Sequence, residues 1–227
     1  MLYIKNLTFF VIGLSCFILT AQSNFNTFGE SALSIDHKFS KSYSANFAIL
    51  SRYNLYNNDQ GIQYMQQHIE AIHFSTLSLN FNHKLSLGIY YRKKDWFETG
   101  SNELRICQQF TYTKQKLGVR YGHRFRLEQR ILDEQTIFRQ RYRFAVDFPL
   151  NGEKLDIGEP YLISAAEGLL SLSKPNKPQT DVRLSSQIGW QITEVLKLQT
   201  GLECRIEAFN LETENKLFLL TSAILKI

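Results

Sequence analysis

Leu117-Gly118-Val119-Arg120-Tyr121-Gly122-His123-Arg124-Phe125-Arg126-Leu127-Glu128-Gln129-Arg130 is the stretch on which the fold turns. Leu117, Val119, Tyr121, Phe125 and Leu127 fall on one parity, and Arg120, Arg124, Arg126, Glu128 and Arg130 on the other. A period of two belongs to an extended strand, whose side chains point alternately to opposite faces; a helix would repeat at 3.6. The following stretch does the same, setting Phe138, Tyr142, Phe144 and Val146 against Arg139, Arg141, Arg143 and Asp147.

The pattern extends in both directions. Tyr43, Ala45, Phe47, Ile49, Tyr53 and Leu55 oppose Ser44, Asn46, Arg52 and Asn54. Val182, Leu184, Ile188, Trp190 and Ile192 oppose Arg183, Ser185, Gln187 and Gln191. Leu196, Leu198, Leu202, Ile206 and Ala208 oppose Lys197, Gln199, Glu203, Arg205 and Glu207. The last stretch carries Leu217, Leu219, Thr221, Ala223, Leu225 and Ile227 on one face. The prolines, Pro149, Pro160, Pro175 and Pro178, all fall between stretches or at their ends, as a residue without a ladder donor must. These stretches exceed the roughly 5–6 residues of a globular strand and suffice for the roughly 9–11 that cross a bilayer at a tilt.

The fold class expected is therefore all-β: a single antiparallel up-and-down transmembrane β-barrel of about 10–12 strands. The stretches themselves number about eleven, and the even count of bacterial single-chain barrels favours ten or twelve. That parity rule would put a miscount at the first stretch or at the long one over Ile62–Phe81. Connections alternate between short ones, such as Lys114-Gln115-Lys116, and longer ones, such as Asp95–Asn102, as periplasmic turns and outer loops do. The linker Asn151–Glu159 breaks the alternation by falling on the short side.

The N-terminus reads as an address. Lys5 precedes an apolar run from Leu7 to Leu19, and Thr20-Ala21-Gln22-Ser23 supplies small residues for cleavage. The run is shorter than the ~20 residues of a spanning helix. Residues 1–22 are thus expected to be a cleaved signal peptide and residues 23–227 the barrel, exported by a Gram-negative cell to the outer membrane. The partners implied are outer-membrane lipid and the export and barrel-assembly machinery. The net charge of +5 raises nucleic acid as a partner. Export and inward-alternating arginines argue against it.

The segment Gln140-Arg141-Tyr142-Arg143-Phe144-Ala145-Val146-Asp147-Phe148-Pro149-Leu150-Asn151-Gly152 resembles, together with Gly122–Arg130 and the ending Leu217–Ile227, the exported bacterial family DUF2490, a domain of unknown function. The resemblance covers most of the chain after residue 22 and implies an outer-membrane-type β-barrel. It brings no activity or site residues with it.

Arginine on the lipid face costs about 2–4 kcal/mol at the bilayer midplane, so Arg120, Arg124, Arg126, Arg130, Arg139, Arg141 and Arg143 are expected to line the lumen. There they form either an anion-attracting wall for phosphate- or carboxylate-bearing solutes or a structural ladder. In the ladder reading, which fits a narrow barrel filled by side chains, Glu128, Asp147, Glu167, Glu203 and Glu207 supply the partners. His37, His68, His73, His83 and His123 show no metal spacing, and no cofactor is expected. Cys107 is expected to face inward and Cys204 the lipid, leaving both as free thiols. Trp96, Phe97, Tyr90, Tyr91 and Trp190 are candidates for an aromatic girdle.

The expected function is a structural or narrow-pore barrel without enzymatic activity. The alternatives are a barrel enzyme modifying lipid or lipopolysaccharide, with His123 the residue to test, and a soluble periplasmic lipid-binding β-sheet protein. No fixed-spacing Ser–His signature stands out, and such pairs are recognised by geometry.

Overall fold

The computed structural model describes residues 25–58, 61–97, 100–174 and 176–227. The expected signal peptide lies outside these residues. The chain forms β1 (Phe25–Lys38), β2 (Tyr43–Asn57), β3 (Gly61–Ser78), β4 (His83–Lys93), β5 (Glu103–Lys116), β6 (Val119–Ile131), β7 (Thr136–Pro149), β8 (Pro160–Leu172), β9 (Gln179–Gln191), β10 (Leu196–Glu207) and β11 (Glu214–Lys226). Each strand pairs antiparallel with the next, and β1 pairs with β11 to close the barrel.

The described residues form eleven strands, an odd number, which corrects the expectation of ten or twelve. Both suspect stretches are single strands; β3 alone runs 18 residues. With an odd count the first and last strands point the same way, so the seam between β1 and β11 is parallel, from Phe25↔Asn215 to Asp36↔Lys226.

Alternation sorts inside from outside. On β4, Ser86, Gly88 and Tyr90 are buried, whereas Leu85, Leu87 and Ile89 are 45%, 65% and 53% exposed. Apolar side chains turned outward from a closed sheet are the surface a bilayer covers, and this is the architecture of a transmembrane barrel. Tyr90 is a correction to the girdle expectation: its parity turns it into the lumen, beside outward Tyr91. Outward rings do gather near the ends of the strands. His83 stacks near Phe110 and Tyr112, and His123 near Tyr112, Tyr142 and Phe144.

The β5–β6 turn falls at Leu117-Gly118, so Leu117 is not part of a strand as its parity suggested. Its φ is 48° and that of Gly118 is 76°. A two-residue hairpin of type I′ needs positive φ at both central positions, which glycine meets freely and leucine at a cost. Two rims result. The turn end carries the connections 39–42, 79–82, 117–118, 150–159 and 192–195, and the loop end carries the others. The 150–159 linker folds over its neighbours: the Glu153 carbonyl lies 2.7 Å from where a Cβ on Gly118 would stand, and the Gly158 amide donates to the Gln191 carbonyl at 2.6 Å.

Candidate functional site in the barrel lumen

The register of β6 and β7 sets Arg124 opposite Arg143, Arg126 opposite Arg141 and Glu128 opposite Arg139. Cations facing each other across adjacent strands repel unless carboxylates stand between them. Glu128 accepts from Arg141 at 2.8 Å and lies 3.5 Å from Arg126. Glu167, on the next strand, takes Arg124 at 2.9 Å and Arg141 at 2.5 Å. Arg141 thus ties β6 to β8 across β7.

The remaining candidates behave differently. Asp147 pairs with Arg120 at 2.8 Å, at the turn end, where the Arg120 side chain is 57% exposed. Glu203 takes Arg205 and Glu207 takes Lys216, so neither meets the β6 and β7 arginines. Arg139 donates to the Ser171 hydroxyl at 2.9 Å. Arg143 makes no ion pair among the described residues.

Three carboxylates that sequence reading left out carry much of the network. Glu103 binds Arg130 through both oxygens, at 2.6 and 3.0 Å, and also holds Arg105 at 2.9 Å and Arg92 at 3.1 Å. Glu70 takes Arg92 at 2.5 Å and lies 3.5 Å from His68. Glu30 takes Arg52 at 2.6 Å and lies 3.6 Å from Arg205, across the parallel seam. Parity was the available signal, since each of the three alternates with outward residues of its own strand.

Aromatic rings complete the filling. Phe28 and Phe218 stack at 5.0 Å, with the Arg205 guanidinium 3.6 Å and the Arg52 guanidinium 4.9 Å from the Phe218 centroid. Arg126 donates to the Tyr90 hydroxyl at 2.9 Å and to Gln109 at 2.6 and 2.9 Å. Planar guanidinium groups suit both contacts, because their donors lie in the plane and their faces stack on rings.

Cys107 is fully buried and Cys204 partly so, and among the described residues neither is joined in a disulfide. Among the described residues no group of three or more His, Cys, Asp or Glu side chains is placed to hold a metal ion. Outside the spanning strands, Asp95 accepts from the Asn102 amide at 2.9 Å and from Lys93 at 2.9 Å, which holds its carboxyl below the usual range.

Fold and lumen together define a transmembrane β-barrel filled on one half by its own ion pairs. The chain belongs to the DUF2490 family, proteins of unknown function, whose model matches residues 31–212. No curated protein matches the sequence. Among solved structures it is similar to LpxR from Salmonella typhimurium, at 10% identity and a TM-score of 0.47, covering 80% of this chain and 83% of that one. This finding corrects the expectation that the chain is not an enzyme, since LpxR is an outer-membrane barrel and an enzyme. At that distance the likeness carries neither a site nor a reaction to this chain.

Proposed function

We propose that the chain is an outer-membrane barrel whose lumen is closed on its loop half by arginine–carboxylate bracing, so that it stands in the membrane as a sealed scaffold. One observation carries the reading: Glu103, itself buried, holds guanidinium groups from β4, β5 and β6. An open anion passage needs cations facing water; here most of the lumen's cations face carboxylates and rings. The apolar exterior supports a place in a membrane. Planar-bilayer recording on the purified protein tests it. The expected result is no steady conductance with either potassium chloride or a large organic salt. A stable anion-selective current would overturn the closed lumen.

A second reading rests on a separate feature of the outer surface. Ser75 and His73 share the lipid-facing side of β3, with the Ser75 hydroxyl 3.1 Å from His73 Nε2. The Asn46 carbonyl lies 3.2 Å from His73 Nδ1, and a carbonyl can only accept, so Nδ1 carries the proton and Nε2 is free to take one from Ser75. The Tyr43 hydroxyl lies 3.2 Å from the Ser75 hydroxyl. A hydroxyl, a base and a group that orients the base are the parts of an activated nucleophile. At the lipid surface its substrate would be an acyl ester of a membrane lipid. His123, singled out by sequence, instead meets the Tyr142 hydroxyl at 2.9 Å. Lipid mass spectrometry on cells expressing the protein or its S75A variant decides. Loss of an acyl chain that disappears with S75A supports the reading, and identical lipids in both discard it.

A further inference from the structure

The loop-end mouth of the lumen holds a cavity of about 390 Å³ between β6, β7 and the β8–β9 connection. Among the described residues, the charged side chains lining it are all cations: Arg130, Arg139 and Lys177. Ser171, Asn176 and Gln179 add polar groups to the wall. Two carboxylates beside the wall are turned to other donors. Glu103 is taken by Arg92, Arg105 and Arg130. Asp181 accepts from the Gln179 amide at 2.8 Å and the Ala208 backbone amide at 2.9 Å.

Arg139 is the decisive residue. It stands opposite Glu128 in the β6–β7 register, yet Glu128 goes to Arg126 and Arg141. The Ser171 hydroxyl holds the Arg139 Nε at 2.9 Å, and Arg139 makes no ion pair among the described residues. Among the described residues Lys177 makes none either. Arg139, part-buried and held only by a neutral hydroxyl, stands at this wall with Arg130 and the exposed Lys177, and an anion in the cavity would face all three cations.

The wall is also held in place. Asn210 accepts from the Thr180 amide at 2.8 Å and donates to the Pro178 carbonyl at 2.8 Å, and Asn176 reaches Gln135 at 3.4 Å. The segment presenting Lys177 is thereby tied to two neighbouring loops before any ligand arrives, which lowers the cost of binding.

We propose that this cavity binds a phosphate group, carried by a small solute or a lipid headgroup, with Arg139 and Lys177 as its charge partners. A tetrahedral dianion uses several donors at once, which suits a wall of guanidinium, ammonium, hydroxyl and amide groups. The volume lies at the low end of the roughly 300–1,000 Å³ of small-molecule sites, so it takes a headgroup-sized ligand and not a whole lipid. The site is independent of whether the lumen conducts.

The test uses the full chain purified in non-ionic detergent, with folding checked by heat-modifiable mobility. Calorimetric titration with inorganic phosphate probes the solute form. Phosphorus analysis of the washed protein, with mass spectrometry of what stays bound, probes the lipid form. R139Q should weaken phosphate binding about tenfold or more, and the exposed K177Q about twofold to fivefold. R120Q, at the opposite rim, should leave it unchanged. Saturable phosphate binding with that ranking supports a solute. A phospholipid retained by the native protein but lost from R139Q and K177Q, without binding of free phosphate, supports a headgroup. Absence of both, or variants equal to the native protein, overturns the site. Because K177Q changes an exposed loop side chain, misfolding of R139Q would not rescue the idea.

Discussion

The loop half and the turn half of the lumen are filled by different chemistry on the same alternating strands. In the loop half, long cationic side chains reach across strands to buried carboxylates. From mid-barrel toward the turn end, rings lie over glycines: a Cβ added to Gly88, halfway along β4, would stand 2.3 Å from the Phe74 ring, and one added to Gly189 would stand 2.3 Å from that of Tyr161. The Tyr161 hydroxyl accepts from Gln199 at 2.8 Å, so that ring is held at its tip as well. The contrast teaches that a narrow barrel can be packed largely by charged side chains when most of its desolvated charges find partners. Packing by ion pairs fails abruptly when one member is lost, because the other remains buried and charged. Packing by rings fails in proportion to the volume removed.

The largest effect is expected from Glu103→Gln. Three guanidiniums lose their common partner, and destabilisation of about 3–5 kcal/mol should appear as an earlier urea midpoint in detergent. An unchanged midpoint would break the distinction between the halves. Tyr161→Ala uncovers Gly189 and should cost about 2–4 kcal/mol in the same measurement. Gly88→Val sharpens the point, since it forces the Phe74 ring aside at about 1–3 kcal/mol. Combining it with Phe74→Leu should recover part of that loss, a coupling that a double-mutant cycle measures. The smallest effect belongs to Asp147→Asn. Its partner Arg120 is largely in water, so the change should stay within about 1 kcal/mol and shrink further with added salt.

Strand identity was legible because parity is a local property. Arg120 to Arg130 sort themselves without reference to any other strand, and the inward turn of Cys107 and His68 follows from the same count. Partner choice was not legible, because it depends on register between strands. Glu103 meets Arg92 across the β4–β5 pair and Arg130 in the next strand over, which a reader of one segment cannot see. Glu30 nears Arg205 only because β1 and β11 close the barrel, a contact between opposite ends of the sequence. The Ser75–His73 pair was within reach, since two residues two apart share a face. What singled it out was the Asn46 carbonyl orienting the ring and Tyr43 arriving from β2, both set by the fold. The mouth cavity was beyond reach, because its emptiness of carboxylate is a fact about three elements together.

The parallel seam has a topographic result. The first strand starts with Phe25 at one rim, and the last ends with Lys226 at the other. Two reporters fused to those positions would therefore stand on opposite sides of any membrane the cylinder crosses. A protease added outside the cell should clip one reporter and spare the other, whichever way up the molecule is inserted.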